Sequence, residues 1–231
     1  NYRIMTAMNG IEAFEKIYID QPDLIISDVM MPEMDGLEFT KKLKSDVRTS
    51  HIPIILLTAL SSHENKIEGL ETGADSYIAK PFNKKHLQVR VKHLIESRQQ
   101  MRKHYQQDVI TQFVKENKIS HLDSNFLKKC NAIIESHLTD NEYGVEQMSV
   151  EMSLSRVHVY RKIKHLTGLT VSEFIRNIKL KKAAVMLHES GKSISEVAYE
   201  TGFSSPSYFS KCFKDLYNIS PTEFVQNNTS E

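Results

Sequence analysis

The chain has 231 residues, 40% hydrophobic and 26% charged, with a formal net charge of +1. That length and balance suit two packed domains and exclude a disordered chain, while the longest apolar stretches, Leu24–Ser27 and Ile52–Leu57, are far too short to span a membrane. Cys130 and Cys212 lack metal-site or redox-motif spacing, so reduced thiols are expected; with no basic-then-apolar opening pattern, so is a cytoplasmic location.

In chain order, Tyr2–Ala7 reads as a strand, and Asn9 can cap a helix carrying Ile11, Phe14, Ile17 and Tyr18. Leu24–Ser27 is a second strand, followed by a helix from about Gly36 to Asp46 and a strand at Ile52–Leu57. A helix with Ile67 and Leu70, a strand at Ser76–Ala79 and a helix after Asn83 continue the beat. Strands alternating with helices predict an α/β doubly wound parallel sheet with helices on both faces. In such a sheet ligands bind beyond the carboxyl ends of the strands.

Asp28, Thr58 and Lys80 each fall at such an end. A carboxylate, a hydroxyl and an ammonium on one edge can offer a nucleophile or metal ligand, an oxyanion donor and a countercharge for phosphate. Singly, each has a local explanation: a strand-ending turn residue, a helix cap and a solvated lysine. Their joint placement favours a site.

The stretches "DVMMPEMDG", "LLTA" and "YIAKPF" together resemble the receiver domain of two-component response regulators, over roughly Tyr2 to Glu96. The resemblance implies that Asp28 is the phosphoacceptor, that Thr58 and Lys80 contact the phosphoryl oxygens, and that Tyr77 is the aromatic whose rotamer follows Thr58. It also implies a Mg2+ site holding Asp28 and the main-chain carbonyl of Met30, and a cis Lys80–Pro81 bond that aims the lysine into the pocket. Met31, Pro32 and Gly36 form the loop that turns the chain from strand to helix. The family normally opens with a strand ending in an acidic pair that holds the metal. This chain opens at what reads as the second strand, without that pair, so an incomplete metal site and a fragment of a longer protein are expected.

From Leu87 the helical pattern runs through "VKHLIESRQQMRKHYQQDVITQF", with Leu87, Val91, Leu94, Met101 and Tyr105 near heptad spacing and Arg98 and Asp108 spoiling two seam positions. A parallel coiled coil between two chains and a connecting helix packed on its own domain are both open. Domains are placed at residues 1–96, a helical linker at 97–122, and a second domain at 123–231, with the polar boundary at Lys115 to Ser124.

The second half reads as all-α, with an amphipathic helix carrying Phe126, Ile133, Ile134 and Leu138. A helix-turn-helix plan then occurs twice: Val145–Met152 before Ser155–Leu166, and Ile194–Thr201 before Ser205–Leu216, joined by a helix from about Val171 to His188. Val159 and Ile163, like Phe209 and Phe213, recur at four-residue steps and should face the core. The opposite faces present Arg156, Val157, His158, Tyr160, Arg161 and Lys164, and Ser205, Ser207, Tyr208 and Lys211. Arg156, Arg161, Lys162, Lys164, Arg176, Lys179, Lys181 and Lys182 crowd one segment with positive charge, opposed only by Glu173, which suggests a polyanionic partner.

"YRKIKHLTGLTVSEFIRNIKLKKAA" and "ISEVAYETGFSSPSYFSKCFKDLYNISPTEF" resemble the AraC-type DNA-binding domain, over roughly Asp123 to Gln226. Lys179 stands where that family more often has Arg, at a packing or phosphate contact. The resemblance implies two recognition helices in successive major-groove segments, about 34 Å apart. It favours base contacts from Tyr160, Arg161, Ser207, Tyr208 and Lys211, with flanking basic groups on phosphates. The expected protein is a non-enzymatic transcription regulator, controlled by phosphorylation of Asp28. Its expected partners are double-stranded promoter DNA, a histidine kinase phosphodonor in a separate chain or the same one, a second copy in a homodimer, and RNA polymerase. The alternatives are the C-terminal part of a hybrid sensor histidine kinase, which would be membrane-tethered, and a receiver used as a phosphate-independent interaction module. Metal-assisted phosphoryl hydrolysis at Asp28 is a weaker, catalytic alternative.

Overall fold

A computed structural model describes residues 2–59, 72–107, 120–189 and 191–228. They fall into two compact units, one built mainly on residues 2–101 and the other mainly on residues 124–228.

The first unit runs α1 (Gly10–Ile19), β1 (Ile25–Asp28), α2 (Gly36–Ser45), β2 (Ile54–Thr58), β3 (Ser76–Ala79) and into α3 (Lys84–Gln107). The strands are parallel in the order β1-β2-β3, with Asp28 level with Leu57 and Thr58 level with Ala79. Asn9 and Asp35 cap α1 and α2, their side chains accepting the N–H of Glu12 and of Glu38. Ile17, Met34, Phe39, Leu43, Ile52, Ile54 and Leu56 form the core that joins these helices to the sheet. Lys44 Nζ bonds the Asp75 carboxylate at 2.7 Å and the Ile52 carbonyl at 2.8 Å, and Asp75 accepts the Ile54 N–H, so this ion pair fixes the starts of β2 and β3.

The expected strand at Tyr2–Ala7 is not formed. A strand needs a neighbouring ladder, and no described strand lies beside these residues, whose Tyr2 and Ile4 side chains are 65% and 79% exposed. β2 starts two residues later than its apolar run because Ile52 N–H is taken into a turn by the Thr49 carbonyl and Pro53 has none to give. The expected helix with Ile67 and Leu70 lies outside the described residues, as does Asp108. Along α3, the face carrying Leu87, Val91, Leu94 and Arg98 is half-buried. The apparent flaw in the heptad has a local partner, since Arg98 pairs with Asp75 at 3.4 Å, and one face over, Arg90 donates to Ser76 Oγ at 2.7 Å.

The second unit contains α4 (His121–Ser136), which begins in the first, then α5 (Val145–Glu151), α6 (Arg156–Thr167), α7 (Val171–Glu189), α8 (Ile194–Glu200), α9 (Pro206–Tyr217) and α10 (Pro221–Asn228). Val159, Ile163, Phe209 and Phe213 are fully buried, as the four-residue steps required. Phe209 and Phe213 belong to an aromatic chain from Phe203 to Phe224 that closes the core around α9 and α10. Ser155 and Ser205 cap α6 and α9, and left-handed Gly168 and Asn218 end them. Both cysteines are buried free thiols; burial pushes Cys130 up to about 12 and keeps it protonated.

Candidate functional site

Parallel register brings the ends of the three strands to one edge of the sheet. Asp28 ends β1, Thr58 ends β2, and Lys80 follows β3 directly, its backbone N–H donating to the Thr58 carbonyl at 2.6 Å. From there Lys80 Nζ reaches Asp28 Oδ2, and the Met30 N–H donates to Asp28 Oδ1 at 3.2 Å. The Lys80 ammonium holds the Asp28 carboxyl below the usual carboxylate range; the Met30 and Val29 N–H groups assist and burial opposes. The carboxylate is therefore ionised at neutral pH, a partly exposed anion with a cation against it.

The loop after β1 is shaped by Gly36, whose N–H bonds the Val29 carbonyl; a Cβ there would lie 2.0 Å from the Asp28 carbonyl oxygen. Only glycine lets α2 start this close to the strand end. The Lys80–Pro81 peptide is cis. Tyr77 lies half-buried in β3 with its hydroxyl 2.8 Å from Thr72 Oγ1. Receiver domains use Mg2+ for phosphorylation. At this edge the described donors are Asp28, with Lys80 on one oxygen and Met30 N–H on the other, and no three His, Cys, Asp or Glu side chains among the described residues group as metal ligands. These residues alone do not make a magnesium site.

In the second unit the two recognition helices present their expected outer faces. Val157 and Tyr160 on α6, and Ser207, Tyr208 and Lys211 on α9, are exposed, and Arg161 is half-exposed. Others have local engagements. Ser205 Oγ caps α9 by accepting the Tyr208 N–H, Lys164 Nζ donates to the Gly168 carbonyl at 2.7 Å, and Arg156 pairs with Glu146 on α5. His158 bonds the Ser155 hydroxyl at 2.9 Å.

The expected basic face loses two members. Lys162 is 1% exposed, its ammonium 5.2 Å from the centre of the Phe126 ring, and Lys179 is 5% exposed, bonded to the Asp140 carbonyl at 2.5 Å. Between packing and phosphate, Lys179 takes packing, and burial lowers its pKa. Sequence reasoning missed the Glu146–Arg156 pair, which spans the turn between α5 and α6 and leaves no periodic trace.

Residues 1–92 match the response regulator receiver domain family, and residues 148–227 match a helix-turn-helix domain family. Over its whole length the chain is 43% identical to Histidine kinase P4 of Formosa agariphila, covering 17% of that protein. Over 93 residues, 40% of the chain, it is 45% identical to Response regulator PleD of Caulobacter vibrioides, covering 20% of that protein. The chain thus spans about a fifth or less of these curated relatives. The C-terminal domain of AraT, a response regulator from Geobacillus stearothermophilus, is similar at 25% identity and a TM-score of 0.40, over 44% of this chain and 84% of that one. The chain therefore carries a region that matches the response regulator receiver domain family, followed by a region that matches a helix-turn-helix domain family.

Proposed function

We propose that the chain is a phosphorylation-responsive transcription regulator in which Asp28 accepts a phosphoryl group and the helix-turn-helix domain binds promoter DNA. One observation carries the reading: Asp28 stands ionised against Lys80 and beside Thr58 at a strand-end edge, on the same chain as two capped recognition helices. An Asp28 oxygen would attack the phosphorus of a phosphohistidine as its P–N bond breaks, giving an acyl phosphate and a free imidazole. Lys80, already within reach of the carboxylate, would offset the added negative charge, and the Thr58 hydroxyl at the same edge would donate to a phosphoryl oxygen. Tyr77 would follow Thr58, so that phosphorylation alters the surface of the sheet edge.

The energetic route is a population shift. Phosphate favours one receiver state, that state favours a homodimer, and two linked DNA-binding domains on repeated sites gain affinity without a new base contact. A histidine kinase is the phosphodonor of this reading, and RNA polymerase is a further partner of the bound regulator. A divalent cation at Asp28 and the Met30 carbonyl would add positive charge there only with further ligands beyond these residues. No helix among the described residues is long and apolar enough to cross a membrane.

The test is anisotropy of labelled duplex DNA with and without a small-molecule phosphoryl donor and magnesium. Phosphorylation is expected to tighten binding and Asp28→Asn to abolish the gain. Affinity that is high yet indifferent to both would sink the switch and leave the receiver as a docking module.

A further inference from the structure

The basic residues that crowd positions 156–182 are sorted by the fold. Lys162 and Lys179 are buried, Lys164 holds the end of its own helix, and Arg156 is paired with Glu146. Arg176 is placed differently. It stands in the second turn of α7, half-exposed, and its Nη1 lies 3.4 Å from the Tyr208 hydroxyl on α9. The nearest acid along α7, Glu173, has its carboxylate on the N–H and hydroxyl of Thr170, at 2.7 and 2.8 Å. The hydrogen-bond partner of Arg176 is thus a neutral phenol, which steadies the guanidinium without cancelling its charge.

We propose that Arg176 and Tyr208 together clamp one DNA backbone phosphate, so that the connecting helix α7 contacts DNA alongside the two recognition helices. The proposal rests on the DNA-binding reading and adds to it a residue and the group that residue holds. A tyrosine hydroxyl that accepts from arginine keeps its own proton to donate, and a guanidinium has further N–H groups beyond the one engaged. The pair therefore offers one acceptor both a charged and a neutral donor, which suits a phosphate oxygen. The location agrees: Tyr208 shares the exposed side of α9 with Ser207 and Lys211, and Arg176 borders that surface from outside the recognition helix, where backbone contacts that fix its register belong.

The experiment is anisotropy of the whole chain with a random-sequence duplex across a salt series, because non-specific affinity reports phosphate contacts. Each phosphate neutralised contributes about 0.9 to the slope of log affinity against log salt, so the loss in Arg176→Gln should be about 3.5 times larger at about 50 mM than at about 200 mM salt. Arg176→Lys should keep the slope, and Tyr208→Phe should weaken binding while leaving the slope alone, since it removes a neutral donor. Circular dichroism melts check that each variant folds; should Arg176→Gln not fold, Tyr208→Phe binding as tightly as wild type overturns the clamp. An unchanged slope in folded Arg176→Gln also overturns it and reduces Arg176 to a support for Tyr208. Should the wild-type chain show no salt-dependent affinity, the DNA-binding reading itself falls, and the clamp with it.

Discussion

In the first helix-turn-helix unit the chain turns through Ser153 at φ +55°, and in the second through Gly202 at φ +71°. Both residues adopt the left-handed conformation, but their surroundings differ. Ser153 is exposed, whereas a Cβ on Gly202 would lie 2.4 Å from the Leu138 carbonyl oxygen and 2.6 Å from Lys179 Nζ. The helices before these turns also differ. α5 starts on Gly144, without a side-chain cap but with Gln147 reaching back to its N–H, while α8 starts on Ser193 with a full Ser193–Glu196 capping box. The recognition helices diverge as well: α6 carries Arg156, Arg161 and Lys164 and no acid, and α9 carries Lys211, Lys214 and Asp215 on an aromatic core. One backbone plan therefore serves two purposes. The second unit is locked to the scaffold through its turn, and the first carries more of the charge.

The comparison breaks most readily at the turns. Gly202→Ala should destabilise the helical unit by about 3–5 kcal/mol, from left-handed strain plus contact with a backbone carbonyl that cannot move aside. Urea denaturation followed by circular dichroism would measure it. A loss below about 1 kcal/mol would mean that the second turn is no more locked than the first.

How far these features were legible follows from where their partners lie. The edge of Asp28, Thr58 and Lys80 was readable because a parallel sheet puts every strand's carboxyl end on one side, so sequence order becomes spatial convergence. The buried pairs Val159 with Ile163 and Phe209 with Phe213 were readable from helical period alone. Lys162 and Lys179 were counted as basic surface because composition carries no direction; their partners, the Phe126 ring and the Asp140 carbonyl, sit on distant parts of the chain. Arg98 looked like a defect in a heptad for the same reason, since the carboxylate that accounts for it, Asp75, precedes β3. Tyr2–Ala7 has strand-like residues, yet pairing is a property of neighbours that its own letters do not specify.

The division of charge predicts a division of binding roles. Arg161→Ala should cost about 1–3 kcal/mol on specific DNA and change which sequences are preferred, as expected when a guanidinium reads a guanine edge. Lys211, although the resemblance counts it among the base contacts, carries a compact charge suited to phosphate, so Lys211→Ala should weaken all duplexes evenly and lower the salt slope by about 1. Competition binding on a randomised duplex pool would separate the two. Even weakening from Arg161→Ala, with altered preference from Lys211→Ala, would reverse the assignment.

The smallest expected effect has the opposite sign. An L-residue in the left-handed region costs about 1–2 kcal/mol, and glycine there avoids that penalty. Glycine also gives up more chain entropy on folding, roughly 0.5–1 kcal/mol relative to alanine. Because the Ser153 side chain is exposed, its removal costs little packing, and the strain relief should outweigh the entropy. Ser153→Gly should therefore stabilise the unit by about 0.5–1 kcal/mol. Removing a Cβ at one turn and adding one at the equivalent turn then give a small gain at the first and a large loss at the second. Denaturation of Ser153→Gly beside Gly202→Ala tests this directly; a loss at Ser153 would show that the serine makes a turn contact worth more than its strain.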